Sequence, residues 1–160
     1  MGKELLTGIQ AKNVPECLRL VGARADLAVK DSNGDAVLAR ACWYSLSEVA
    51  LAIAACPGVE IGARNVRGWT PLMRASSRGL TPVVAVLLGK GADINAVDNH
   101  VRTALYMACY FSKAATALQL IEAGADVNVG SLKPLSSTQV DKPEMAAVKA
   151  ALIARGARKD

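Results

Sequence analysis

Residues Asn65-Val66-Arg67-Gly68-Trp69-Thr70-Pro71-Leu72 return, weakened, 33 positions later as Asp98-Asn99-His100-Val101-Arg102-Thr103-Ala104-Leu105. A second pair keeps the same offset: Gly91-Ala92-Asp93-Ile94-Asn95 and Gly124-Ala125-Asp126-Val127-Asn128. Self-similarity at this period implies one small supersecondary unit stacked on copies of itself, because a single unit cannot bury its own apolar face. Looking backwards, residues 31–38 align with 65–72 at an offset of 34, and the extra residue falls within 54–59, where a helix must end and a turn begin. Leu5-Leu6, Leu20-Val21 and Ala25-Asp26-Leu27 form a first unit without its leading turn, and Leu152-Ile153-Ala154-Arg155-Gly156-Ala157 repeats the closing half of the motif. The 160 residues therefore make one domain of about five units, 1–30, 31–64, 65–97, 98–130 and 131–160. Residues 130–142 are the least regular and leave room for only a stub of helix.

Local chemistry supports two helices per unit. Thr70 can cap a helix with its hydroxyl, and Pro71 then occupies the first helical position, where a missing N–H costs nothing. Gly79 ends that helix; Val83, Val86, Leu87 and Leu88 give the next one its apolar spacing, and Gly91 can turn left-handed just past its end. Helix pairs are expected near 5–21, 36–55, 70–88 and 103–122, with a short or absent first helix in the last unit and a final helix near 143–154. The order D-x-x-G-x-T-P-L, then L-L-x-x-G-A-D-x-N, resembles the ankyrin repeat. That resemblance implies an all-α solenoid of helix-turn-helix units joined by short hairpin-like turns. This chain departs from the family pattern in places. The histidine of T-P-L-H is replaced by Ala39, Met73 and Tyr106; Val101 stands for the turn glycine, and Ser112 for the glycine closing the first helix. The turn network is therefore expected to be thinner, and the fourth and fifth units the least stable.

Several classes are set aside. No apolar run approaches the ~18 residues a membrane span needs, and Met1-Gly2-Lys3-Glu4-Leu5-Leu6 has no signal-peptide core. The chain is expected to be soluble and intracellular, cytoplasmic first with the nucleus as the alternative. Cys42 and Cys109 share one register of the first helix, Cys17 falls on a core position, and Cys56 lies near a helix end. With no C-x-x-C and a lone histidine, His100, zinc lacks its spacing, so buried reduced thiols are expected and no metal. No P-loop, dinucleotide fingerprint or nucleophile–base pair is present, which points away from an enzyme and from cofactors.

Function must then lie in residues outside the common pattern. By the resemblance, these sit on the turn tips and late in the first helix, lining one concave face. Of six aromatics, five land there: Trp43, Tyr44, Trp69, Tyr110 and Phe111. Because core positions are already taken by residues such as Leu72 and Ala75, these rings are expected to be exposed anchors in a two-row groove, since aromatics with a polar tip suit binding sites. Charge follows the same face. Residues 55–110 carry six basic against three acidic groups, whereas 1–54 balance six against six. Arg64, Arg67, Arg78 and Arg102, with His100, are assigned to the partner-binding face, where arginine forks suit carboxylates or phosphates. The leading expectation is a non-catalytic scaffold or adaptor that binds an acidic or extended segment of another protein. The alternatives are nucleotide or RNA binding by stacking on Trp43, Trp69 or Phe111, and inhibition of an enzyme by occlusion.

Overall fold

The computed structural model of the chain describes residues 1–130 and 138–157. Its helices are α1 Gly2–Gln10, α2 Val14–Gly22, α3 Val37–Trp43, α4 Ser47–Ala55, α5 Pro71–Arg78, α6 Thr81–Gly89, α7 Ala104–Tyr110, α8 Ala114–Glu122 and α9 Ala146–Ala154. Among the described residues the only β pairing is an isolated antiparallel bridge between Lys30 and Ala36. First helices pack in file, α1 on α3, α3 on α5, α5 on α7; second helices form a parallel file, α2 on α4, then α6, α8 and α9. The molecule is an all-α solenoid. In the fifth unit a 3₁₀ turn, Thr138–Asp141, packs against both α7 and α9, and a second, Pro143–Met145, leads into α9. The helix stub expected within 130–142 falls in part on residues 131–137, outside those described.

The core lies between the two files. Leu38, Leu72 and Leu105 are fully enclosed at one register of α3, α5 and α7, and Ile53, Leu87 and Leu120 fill the facing register of the second helices. Small residues at Ala41, Ala75 and Ala108, all fully buried, let the helices approach closely. Ala39, Met73 and Tyr106, which replace the family histidine, are all buried, so this position is filled by packing.

The second, third and fourth units open on the same polar turn. Asp31 Oδ1 accepts from the backbone N–H of Asn33 and Asp35 at 2.8 and 2.9 Å. Asn65 Oδ1 accepts likewise from Arg67 and Trp69, and Asp98 Oδ1 from His100 and Arg102, all at 2.9 Å. Consecutive tips are sewn together, Val66 N–H to the Asn33 carbonyl at 3.1 Å and Asn99 N–H to the Arg67 carbonyl at 3.0 Å. Thr70 and Thr103 then cap α5 and α7, their hydroxyls accepting from the Met73 and Tyr106 N–H at 3.3 and 3.1 Å. Ala36 in that register has no such oxygen, and α3 carries no side-chain cap. The thinner turn expected at Val101 is not what forms. Its N–H still reaches the Asp98 carbonyl at 2.9 Å, with the residue driven to φ 57°. The missing glycine is expressed as backbone strain, since a β-branched side chain is crowded in the left-handed region.

Candidate recognition face

Five side chains on the face made by turn tips and first helices interlock as a ladder. The Arg74 guanidinium lies over the Trp43 ring at 4.6 Å and over the Trp69 ring at 4.4 Å. Arg78 lies over Trp43 at 4.0 Å, and Arg102 over Trp69 at 5.6 Å. Each such contact contributes about 0.5–2 kcal/mol, more as the pair loses water. Arg74 has a side chain only 10 % exposed, and its Nη2 donates to Asp35 Oδ2 at 2.8 Å. Asp35, itself 1 % exposed, also accepts from Asn65 Nδ2 at 2.9 Å. Burial lowers the Arg74 pKa, opposed by the attraction and hydrogen bond of Asp35. Removing either charge would strand the other in the interior, at a cost of about 3–5 kcal/mol.

The ladder corrects the expected role of Trp69. Its ring is only 7 % exposed, because Arg74 from the following helix and Arg102 from the next turn close over it. It is core, not an anchor. Arg102 is likewise not free: its Nη2 and Nε donate to Asp98 Oδ2 at 2.6 and 2.9 Å. Burial pushes the Asp98 carboxyl up, but the Arg102 hydrogen bond and the Arg102 and His100 N–H groups outweigh it and hold the pKa below its ordinary value. Arg64 is exposed, yet its Nη2 donates to the Val97 carbonyl, which clamps one unit to the next.

The other assigned residues remain accessible to different degrees. Trp43 and Tyr44 are half-buried; Tyr44 accepts at its hydroxyl from Arg40 Nη2 at 3.0 Å, while Arg40 Nε pairs with Asp31 at 3.0 Å. Tyr110 and Phe111 are 50 % and 43 % exposed, their rings edge to face at 5.1 Å, with Tyr106 stacked on Tyr110 at 5.9 Å. His100, Arg67 and Arg78 are exposed, and among the described residues neither arginine pairs with a carboxylate. The rings therefore divide into a half-closed Trp43 group and an open Tyr110–Phe111 group, instead of one continuous aromatic surface.

Between the turn tips of the second and third units, and below α3 and α5, lies a crevice of about 150 Å³. Asp35 and Arg74 form its buried floor, Trp43 and Arg40 one wall, and Asn33 and Arg67 its exposed rim. Arg74 was legible in sequence only as one of several cations. The overlooked signal is that Arg40 and Arg74 share a register of consecutive first helices, Arg40 reaching Asp31 of its own turn and Arg74 reaching Asp35 of the unit before.

Three of the four thiols are buried. Burial pushes Cys42 and Cys109 up to about 12 and raises Cys17 as well. All four cysteines are free, and among the described residues no group of three or more His, Cys, Asp or Glu is placed to hold a metal. Among those residues, no helix is long and apolar enough to cross a membrane.

Comparison with known proteins agrees with this architecture. The family model for ankyrin repeats (3 copies) matches residues 41–131. Neurogenic locus notch homolog protein 2 of Homo sapiens is 32% identical over 108 residues, 68% of this chain and 4% of that protein. Ankyrin repeat and KH domain-containing protein 1 of Homo sapiens is 41% identical over 106 residues, 64% of this chain and 4% of its own length. A tyrosine-protein kinase of Hydra vulgaris is 37% identical over 66 residues, 41% of this chain and 9% of the kinase. The chain thus spans under a tenth of each of these relatives. Ankyrin repeats are in general non-catalytic modules of protein–protein interaction. With the repeated turn, the paired helix files and a match over more than half its length, the chain belongs to the ankyrin-repeat family.

Proposed function

We propose that the chain is a non-catalytic recognition module that holds an extended, acidic segment of another protein along the face of turn tips and first helices. One observation carries this reading. The exposed rings Tyr110 and Phe111 and the uncompensated cations Arg67 and Arg78 lie on consecutive first helices and turns of that same face. Trp43 and Tyr110 share one register of α3 and α7, and Tyr44, Arg78 and Phe111 the next, so a strand-like segment laid across the stack would meet rings and cations in turn. An aromatic anchor at the centre of such an interface is worth about 2 kcal/mol or more, and a rim charge well under that.

Nucleic-acid binding is the weaker reading on this geometry. Trp69 is closed, and Trp43 already carries two guanidiniums, so two of the three stacking platforms it needs are occupied. Selection from a random peptide library on the intact chain tests the proposal. Enrichment of Asp- and Glu-rich sequences is expected, lost in a Tyr110→Ala/Phe111→Ala form that keeps its helical circular dichroism. Binding should weaken mildly with salt; a steep log–log slope with single-stranded RNA, and no acidic enrichment, would overturn it.

A further inference from the structure

The crevice over Arg74 has the features of a receptor for one small anion. Three guanidiniums, Arg40, Arg67 and Arg74, line it, and the charges of Arg40 and Arg67 both act on Arg74. Asp31 neutralises Arg40 and Asp35 neutralises Arg74, which leaves one positive charge, that of Arg67 on the rim. The site is charge-matched to a monoanion. The Arg74 fork is held by Asp35 and packed within 5 Å of the Trp43 and Trp69 rings, and its buried Nε has no hydrogen-bond partner among the described residues. A guanidinium held in this way loses little rotamer freedom when it meets a ligand oxygen.

Size then selects the ligand. The ~150 Å³ crevice compares with engineered cavities of ~150 Å³ that hold a benzene ring. Two methylenes and a carboxylate fit within that volume. The half-buried Trp43, which carries Arg74 and Arg78 on its ring, borders the crevice, and the Arg67 rim offers an ion pair for the head.

We infer that this crevice is the specificity pocket of the recognition face and takes a single glutamate side chain of the bound segment. The inference rests on the proposed peptide-binding role but names a particular side chain and seat. The test uses single-residue probes on the full chain: N-acetyl-glutamate methylamide, its glutamine counterpart, and the phosphoserine equivalent. Binding is followed by the arginine Nε–H and indole N–H signals in ¹H–¹⁵N spectra. The glutamate compound should move Arg67 and Trp43 signals saturably, and the glutamine compound should not. Arg67→Gln should weaken the glutamate compound by about tenfold or more, the cost of losing one charge-assisted pair. Arg67 is exposed and without a carboxylate partner among the described residues, so the variant should remain folded; Arg67→Lys, which keeps the charge, should recover part of the loss. Equal shifts with glutamate and glutamine, an unchanged affinity in Arg67→Gln, or tighter binding of phosphoserine would each overturn the inference. If library peptides bind the Tyr110–Phe111 end but the glutamate compound does not move Arg67, the pocket fails and the module role stands. If the glutamate compound binds and no peptide is selected, the pocket stands and the module role fails.

Discussion

Trp69 lies 7 % exposed between the guanidiniums of Arg74 and Arg102, so truncating its ring asks how much of the central stack depends on one side chain. A buried tryptophan hides about 150–250 Å², which at about 25 cal/mol per Å² gives an upper bound of roughly 4–6 kcal/mol. Measured truncations of large aromatics to alanine run at about 3–5 kcal/mol. Loss of two cation–ring contacts adds to this, but Arg74 keeps Trp43 and Asp35, and Arg102 keeps Asp98, so neither arginine is stranded. Trp69→Ala should therefore cost about 4 kcal/mol, or roughly 8–16 °C in Tm for a domain of this length. Trp69→Phe should cost only about 1–2 kcal/mol, because the ring face remains and the indole Nε1 it removes has no hydrogen-bond partner. Urea unfolding at 25 °C, followed by far-ultraviolet circular dichroism and by the fluorescence of the remaining Trp43, measures both. An alanine variant within about 1 kcal/mol of the parent would refute the reasoning, since the ring would then be a surface ornament. A phenylalanine variant as damaged as the alanine one would refute the account of the unpartnered nitrogen.

Val101→Gly should stabilise the fold by about 0.5–1 kcal/mol: it relieves a β-branched residue at φ 57°, worth about 1–2 kcal/mol, at a partly offsetting cost in unfolded-chain entropy. A lower urea midpoint for this variant would show that the 40 % exposed valine side chain packs in a way its exposure hides. Thiol labelling with a disulfide reagent should be slow at Cys42 and Cys109 and faster at the partly exposed Cys56. With both buried thiols pushed up to about 12, their thiolate fraction at pH 8 is about one in ten thousand, so raising the pH from 7 to 9 should leave them limited by local opening. Rapid reaction of either would mean that the helix register is wrong.

The period made the fold legible because it is set by chemistry local to each unit. Asp31, Asn65 and Asp98 close the same turn, and Thr70 and Thr103 cap the same helix, whatever lies around them. The helix pairs accordingly fall within a few residues of where spacing and caps put them. Exposure was harder to read. A turn-tip tryptophan is exposed or closed according to which long side chains of the neighbouring units fold over it, and periodicity does not report that. Arg74 of its own unit and Arg102 of the next decide the matter for Trp69, and the second contact lies outside any single repeat. At Val101 the sequence announced a lost glycine but not where the cost would fall; the hydrogen bonds survived and the backbone took the strain.

The third unit carries the fullest copy of the motif, and a buried ion pair ties it to the unit before. A solenoid is stabilised by its nearest-neighbour interfaces, and a buried charge can be satisfied across one of them. Arg74, in the register of Arg40, is satisfied by Asp35 and Trp43 of the unit before and by Trp69 of its own turn. Trp69 is in turn covered by Arg102 of the unit after. Arg74 and Trp69 together thus link three successive units. The same buried charge forms the floor of the crevice whose rim is Arg67. Asp35, Trp43 and Arg74, which join two of these units, also line that crevice, so the proposed pocket takes its shape and charge from contacts between repeats.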